Sequence, residues 1–409
     1  MKMRSLLFLL LFGSHWLHAN ALQDAINNAP AGATIKLSKG VYRGNITINK
    51  PLTLLGKTSG VVIEGEKHDS VITITASHVR LENLTITNSG DQIITLDAAI
   101  VMKQVSHCTI THCTIQNSLY GIDMNMVNDS NISYNSITSN GKEKSMRGDA
   151  LKIWYSNRNS IIHNSITASR DITLVFSNDT LFSDNNITRG RHGLAMERSK
   201  HTVIQRNLFR YNSTGIMAMA SRDTNITHNQ ILSCQGAAGI GMVIQGGGKL
   251  HFAHNQISYN AKAFYIDTKD HEEGMRRWFT HNRVTYNKEA FHFHLTIKNN
   301  TITHNSIIGN LDDIIKDIEE TKTRKNKIEK NYWDRYQGFD RDADNIGDTP
   351  HQVYQYADQL WHYNHKIKFF YASPIMSLLN FLSNLAPFIE PHLLLEDTSP
   401  LVEQRINLR

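Results

Sequence analysis

The stretch Asp340-Arg341-Asp342-Ala343-Asp344-Asn345-Ile346-Gly347-Asp348 sets carboxylates at alternate positions, the spacing with which a loop wraps oxygen ligands around a hard cation such as calcium. Asn345 stands where such loops prefer glycine, and His351 stands where a bidentate glutamate would close an EF-hand. Asp340, Asp342, Asp344 and Asp348 therefore read either as calcium ligands or as an Asp-rich turn held by its own hydrogen bonds. A softer donor set lies upstream. Thioether and imidazole together suit copper, and Met217 and Met219 follow His192 and Trp154 on earlier repeats. The Met pair reads as a copper site or as a protein-docking patch. His107-Cys108 and His112-Cys113 make Cys108 and Cys113 further copper candidates, against a reading as buried filler. For acid–base work the chain offers Gly148-Asp149 and Arg191-His192. Hydrolysis needs two carboxyls at fixed separation, and elimination needs an acid cluster with a basic residue on one face. These fragments lie two repeats apart, so no catalytic residue is assigned and the chain reads as a non-enzyme.

The elements that must position these residues follow from a phrase recurring about every 22 residues: a small residue, alternating apolar positions, a serine, then x-Asn-x-Ile or Leu. Its serines are Ser156, Ser177, Ser199 and Ser221; its asparagines are Asn135, Asn164, Asn185, Asn207, Asn229, Asn255, Asn282 and Asn305. Period-two runs rich in Ile, Thr and Val are strands, and no repeat has room for a crossover helix. Each strand must then pair with its own copy one turn later. The expected fold is an all-β, right-handed parallel β-helix, a solenoid with an N-terminal cap and a short C-terminal helical tail. Counting from Gly121, Ala150, Asp171, Gly193, Gly215 and Gly239 as zero, positions one and three face inward and positions two and four outward. The asparagines sit at a turn and stack into an amide ladder, with Cys113 in the same slot one turn before Asn135.

Met1 to Ala21 combines Lys2 and Arg4, an apolar run from Leu6 to Phe12, and Ala19 and Ala21. It reads as a secretory signal peptide, too short to span a bilayer, cleaved after Ala19 or Ala21. The chain has 43 basic and 37 acidic side chains, and the leader removes two of the basic ones. So small an excess gives no footprint for nucleic acid. Three cysteines in an exported chain leave at least one unpaired.

The β-helix is expected over 22–350. A capping helix around Leu22, Ala25 and Ile26 opens it, and loops at Asn88 to Ala98 and Gly141 to Arg147 project from it. The charged stretch Asp312 to Lys330 reads as a solvated insertion with some helix. Residues 351–409 form an aromatic and apolar tail. Ser373-Pro374 starts a helix of about twelve residues, serine at the N-cap and proline in the first turn. Its apolar face, with Leu378, Leu379, Phe381 and Leu382, either caps the solenoid or docks on a membrane or membrane protein. These four residues and Trp154 are the partner-binding candidates.

Gly148 to Ser156, the Met-rich Gly215 repeat, Asn331-Tyr332-Trp333 and Gly338 to Pro350 resemble the NosD family of periplasmic maturation proteins for nitrous oxide reductase. The resemblance runs from Pro51–Gly56 to the Ser373-Pro374 tail. It implies a periplasmic, non-catalytic accessory role with an ABC transporter (NosF and NosY), serving the copper site of the reductase (NosZ) with transient copper as cargo. It also implies that the tail docks on the membrane subunit, making the protein peripherally membrane-associated. Many parallel β-helices bind or degrade acidic polysaccharides, and Arg191-His192-Gly193 distantly resembles the Gly-His-Gly of polygalacturonases; a polysaccharide-binding, lyase, hydrolase or epimerase role is the alternative.

Overall fold

The computed structural model describes residues 19–141, 143, 146–236, 238–267, 275–295, 297–317, 326–355, 365–370, 373–385 and 392–404. Residues 1–18 of the expected leader, Met1 to Ala21, lie outside them. The chain is a right-handed parallel β-solenoid, divided into two units, Met1–Gln230 and Ile231–Arg409.

In the first unit each turn gives one short strand to each of three parallel sheets. One turn consists of Asn131–Ser133, Ser136–Ser139 and Leu151–Trp154; the next consists of Ser160–Ile162, Ser165–Thr167 and Asp171–Val175. Registers are strict, with Leu151 beside Ile172 and Ile153 beside Leu174, because a slip of one residue would turn every apolar side chain into water. The expected inward pairs, from Ile122/Met124 to Ile216/Ala218, are all buried. The helix Ala19–Asn28 buries Leu22 and Ile26. Its Gln23 side chain accepts from Thr47 N at 2.8 Å and donates to Thr47 O at 3.1 Å, satisfying an edge strand that would otherwise be open.

The corners explain the repeat. Tyr134, His163, Asp184 and Arg206 have φ between 52° and 58°, a left-handed conformation that non-glycine residues seldom adopt. The asparagine that follows each of them offsets that cost. The Oδ1 atoms of Asn164, Asn185, Asn207 and Asn229 each accept both the backbone N–H and the side-chain N–H of the ladder asparagine one turn earlier, at 2.9–3.0 Å. Cys113 N joins the ladder through Asn135 Oδ1 at 2.9 Å, as its slot implied. A parallel serine ladder links Ser156, Ser177, Ser199 and Ser221 by N–H to Oγ bonds of 2.9–3.4 Å. A buried hydrogen bond contributes about 1 kcal/mol net, while an orphaned buried group costs more, so the ladder fixes the coil as much as the apolar core does.

The second unit repeats the three-sheet plan, with Phe252 and Phe279 stacked at 5.0 Å and Phe264 and Phe291 at 4.9 Å. Its first turn corrects the counting frame. Ile240 pairs with Lys262, whereas Met242 and Ile244 pair with the core residues Phe264 and Ile266. Gly241, not Gly239, is therefore position zero, and a Cβ there would stand 2.8 Å from Ala263 O. The stretch Asp312 to Lys330 is corrected too. It is not a helical insertion: Asp312–Lys316 pairs with Glu289–Phe293 and Lys327–Glu329 with Asn300–Thr303, making a further turn in which Asp313 is buried; 318–325 fall outside the described residues.

Nor is 351–409 docking surface throughout. His351–Gln355 and His392–Asp397 pair antiparallel, and the fully buried Asp397 terminates the ladder. Its Oδ2 accepts from Asn331 N at 3.1 Å, Asn331 Nδ2 at 2.8 Å and Trp333 Nε1 at 3.0 Å. A carboxylate at the last position suits a file of donors with no further asparagine to accept them.

Candidate functional site

The outward face of the third sheet in the first unit carries the residues of interest. One file, in register, is Asp123, Lys152, Thr173, Ala195 and Met217; its neighbour is Asn125, Trp154, Val175, Glu197 and Met219. Lys152 Nζ lies 3.4 Å from Asp123 Oδ1 and 4.2 Å over the Trp154 ring, leaving the Trp154 edge partly exposed. Burial pushes the Asp123 carboxyl up against the pull of Lys152.

Along one margin of this face runs a chain of ion pairs that sequence reasoning missed. Arg170 donates to Asp149 Oδ1 at 2.9 and 3.0 Å, and Thr173 Oγ1 donates to Asp149 Oδ2 at 3.1 Å. Arg170 also reaches Asp171 Oδ2 at 3.4 Å, and Arg191 pairs with Asp171. His192 Nδ1 lies 3.2 Å from Asp171 Oδ1. Burial pushes Asp171 up, yet His192 and Arg191 outweigh it and hold the carboxyl well below its usual range. For Asp149 burial wins over Arg170, and its pKa is raised. Asp149 and His192 are two turns apart as expected, but Arg170 and Asp171 bridge them. The signal was a charge pair at the start of the intervening strand. These carboxylates are bound by guanidinium groups, the arrangement of a structural ion-pair file rather than of two carboxyls flanking a substrate bond.

The copper candidates do not converge. Met217 and Met219 sit side by side, half-buried, on one strand face. His192 pairs with Thr214, three residues before Met217, roughly 10 Å along the strand, and its ring is engaged by Asp171. Cys108 and Cys113 are buried in the interior, their thiols directed at backbone carbonyls. Burial pushes the Cys113 thiol up to about 12, which opposes the thiolate that metal ligation requires. Among these candidates, only the two thioethers keep a shared outward position.

In the second unit the Asp-rich turn gathers Asp340, Asp342 and Asp344 with carboxylate oxygens within 4.8 Å of one another. Asp340 accepts from Asp344 N at 3.2 Å and Asn345 N at 2.8 Å, and Asp344 Oδ1 accepts from Ile346 N at 2.7 Å. Asp348 is directed instead to Arg341 N at 3.2 Å. The neighbouring Asp344 and Asp340 raise the Asp342 pKa. Asn345 itself takes the left-handed conformation, φ 69°, that a glycine would supply.

The helix Pro374–Leu385 is capped as expected, Met376 N donating to Ser373 Oγ at 3.4 Å. Met376 is buried, whereas Ile375, Leu378, Leu379, Phe381 and Leu382 are all 40–60 % exposed. Aliphatic and aromatic surface gathered on one helix is the ordinary mark of an interaction site. No helix among the described residues is long and apolar enough to cross a membrane.

Three stacked parallel sheets closed by Asn and Ser ladders define the right-handed β-helix class, and residues 59–212 match the family described as "Right handed beta helix region". Residues 141–338 match the family described as "Periplasmic copper-binding protein (NosD)". Two relatives named "Probable ABC transporter binding protein NosD" align over nearly their full lengths. The Stutzerimonas stutzeri protein is 22 % identical over 90 % of this chain and 86 % of its own. The Pseudomonas aeruginosa protein is 24 % identical over 94 % and 92 %. Among solved structures, the A-module of the Azotobacter vinelandii mannuronan C-5 epimerase AlgE6 superposes with TM-score 0.52 at 15 % identity, covering 76 % of this chain and 93 % of the module. A mannuronic-acid-specific family 6 lyase from human gut microbiota gives 0.55 at 15 %, covering 77 % and 84 %. At such identities these two share the fold alone.

Proposed function

We propose that this protein is a periplasmic accessory factor that works with an ABC transporter (NosF- and NosY-like subunits) to mature the copper site of a nitrous oxide reductase (NosZ-like). The observation that carries the reading is the near full-length relation to two proteins named "Probable ABC transporter binding protein NosD", in a chain that also exposes apolar side chains along the helix Pro374–Leu385. Leu378, Leu379, Phe381 and Leu382 dock on the membrane subunit, so the protein is held at the membrane peripherally. Trp154, ringed by the Lys152 and Asp123 pair, is a contact for the reductase or its copper donor. Copper passes transiently over the Met217 and Met219 thioethers, which suit the soft monovalent ion. Calcium held by Asp340, Asp342 and Asp344 stiffens the turn beneath the tail.

Deleting the gene and measuring reductase-bound copper tests the role. A reductase that stays fully loaded refutes it, and product release from alginate or pectin would favour the polysaccharide reading instead. Complementation with Leu378→Asp/Phe381→Asp, expressed at normal levels, is expected to leave the reductase copper-poor.

A further inference from the structure

A second outward cluster, used by none of the reasoning above, lies in the second unit across three successive turns of the third sheet. Lys262 pairs in register with Glu289, and Tyr265 with His292. His292 is buried, and its Nδ1 lies 2.6 Å from Glu289 Oε2 and 2.7 Å from Lys262 Nζ. Lys262 also pairs with the same Oε2. One carboxylate oxygen thus accepts from both the ammonium and the imidazole N–H, which is why the two nitrogens stand close. That fixes His292 as the tautomer with Nδ1 protonated and Nε2 directed away from Glu289.

His292 Nε2 lies 2.9 Å from Asp317 Oδ2, yet in a direction that makes no hydrogen bond, so a buried ring nitrogen is left unsatisfied. The same Asp317 Oδ2 lies 2.9 Å from His294 Nδ1. The Tyr265 ring packs against both imidazoles, at 5.1 and 6.0 Å between centroids.

We propose that His292, His294 and Asp317 bind a divalent transition-metal ion, copper(II) more tightly than zinc(II), with Glu289 as the carboxylate that orients His292. Ligand bonds of about 2.0–2.1 Å put neighbouring donor atoms roughly 3 Å apart, as Asp317 Oδ2 is from each ring nitrogen. Two imidazoles and a carboxylate are an N/O set for divalent ions, distinct from the thioethers suited to copper(I). A histidine whose other ring nitrogen donates to a carboxylate is the usual outer arrangement of such sites. His294 and Asp317 keep part of their surface in solvent, which leaves an entry path.

The test titrates copper(II), and separately zinc(II), into the purified full chain, with copper(II) also read by electron paramagnetic resonance. One tight equivalent showing two nitrogen couplings is expected. Affinity should fall about 100-fold in His294→Ala and 10–100-fold in Glu289→Gln. His294 is partly exposed, so its variant keeps the fold, checked by circular dichroism. Undiminished binding in His294→Ala, or a spectrum with fewer than two nitrogens, overturns the assignment. The proposal extends the metal chemistry of the protein without resting on the accessory role, because this titration involves neither transporter nor reductase.

Discussion

Asp313 gives the sharpest prediction of pH-dependent stability. It follows Asp312, which pairs with Glu289, and so fills the small-residue slot held by Gly241, Ala263 and Ala290 in earlier turns. A second amide ladder, Asn260 to Asn287 to Asn310, ends at this carboxyl, Asn310 Nδ2 lying 3.5 Å from Asp313 Oδ1. Burial pushes the Asp313 pKa from 3.8 up to about 7. The folded chain thus keeps a proton that the unfolded chain releases between those values, so stability falls as pH rises from about 4 to 7 and is level above. Three pKa units at 1.36 kcal/mol each make the full penalty about 4 kcal/mol, more than half of which falls between pH 5 and pH 8. Asp313→Asn removes the ionisation and keeps a carbonyl acceptor for Asn310. Urea unfolding of both proteins at pH 5 and pH 8, followed by tryptophan fluorescence, should show the variant gaining about 2 to 3 kcal/mol relative to wild type over that interval. An identical pH dependence in the two would show that this carboxyl does not carry a raised pKa.

Asn282→Ala removes the acceptor for two Asn255 donors and the donor to Phe252 O; with three buried hydrogen bonds lost, unfolding free energy should drop by about 3 kcal/mol, measured by denaturant midpoint. Asp397→Ala should loosen the C-terminal cap, read as protease cleavage beyond residue 350 at protease levels the wild type resists; equal resistance would remove the carboxylate from its role as ladder terminus. Leu378→Asp/Phe381→Asp should abolish co-purification with the transporter membrane subunit while leaving the melting temperature in place. Calcium should raise the melting temperature of the wild type but not of Asp342→Asn, whose metal-free form loses a carboxylate repulsion; a calcium shift retained in the variant would count against the Asp340–Asp344 site.

The parts of the fold legible in the sequence are those in which one residue answers the same question in every turn. Asparagine after a left-handed corner is needed at each turn, so its period survives loops of different length. Apolar positions one and three are legible for the same reason, until Gly239, where the extra length of the preceding turn moved the frame by two to Gly241. Asp312 to Lys330 misled because outward positions of a turn tolerate charge freely; density of charge says nothing about the strand beneath. Asp397 was illegible because its partners Asn331 and Trp333 lie 66 and 64 residues away and the contact occurs once.

The same distinction separates the candidate sites. Met217 lies two residues from Met219, and Asp340 four from Asp344, and local backbone geometry alone brings each pair together. His192 needed a partner three residues along the next turn and found Asp171 instead. The cluster around His292 lies at the other extreme: Lys262, Glu289, His294 and Asp317 are separated by up to 55 positions, and only the register of three turns makes them neighbours. In a solenoid, chemistry across turns is set by loop lengths, because each loop decides which residues of adjacent strands stand abreast. A one-residue insertion between Ile308 and Asp312 that kept the strands paired would leave His292, His294 and Asp317 abreast. Inserting one residue into Asp312–Lys316, ahead of Asp317, would carry its carboxylate to the opposite face, away from both imidazoles. Copper(II) binding should therefore survive the first change and vanish with the second, whereas a site assembled by residues close in sequence would be indifferent to both.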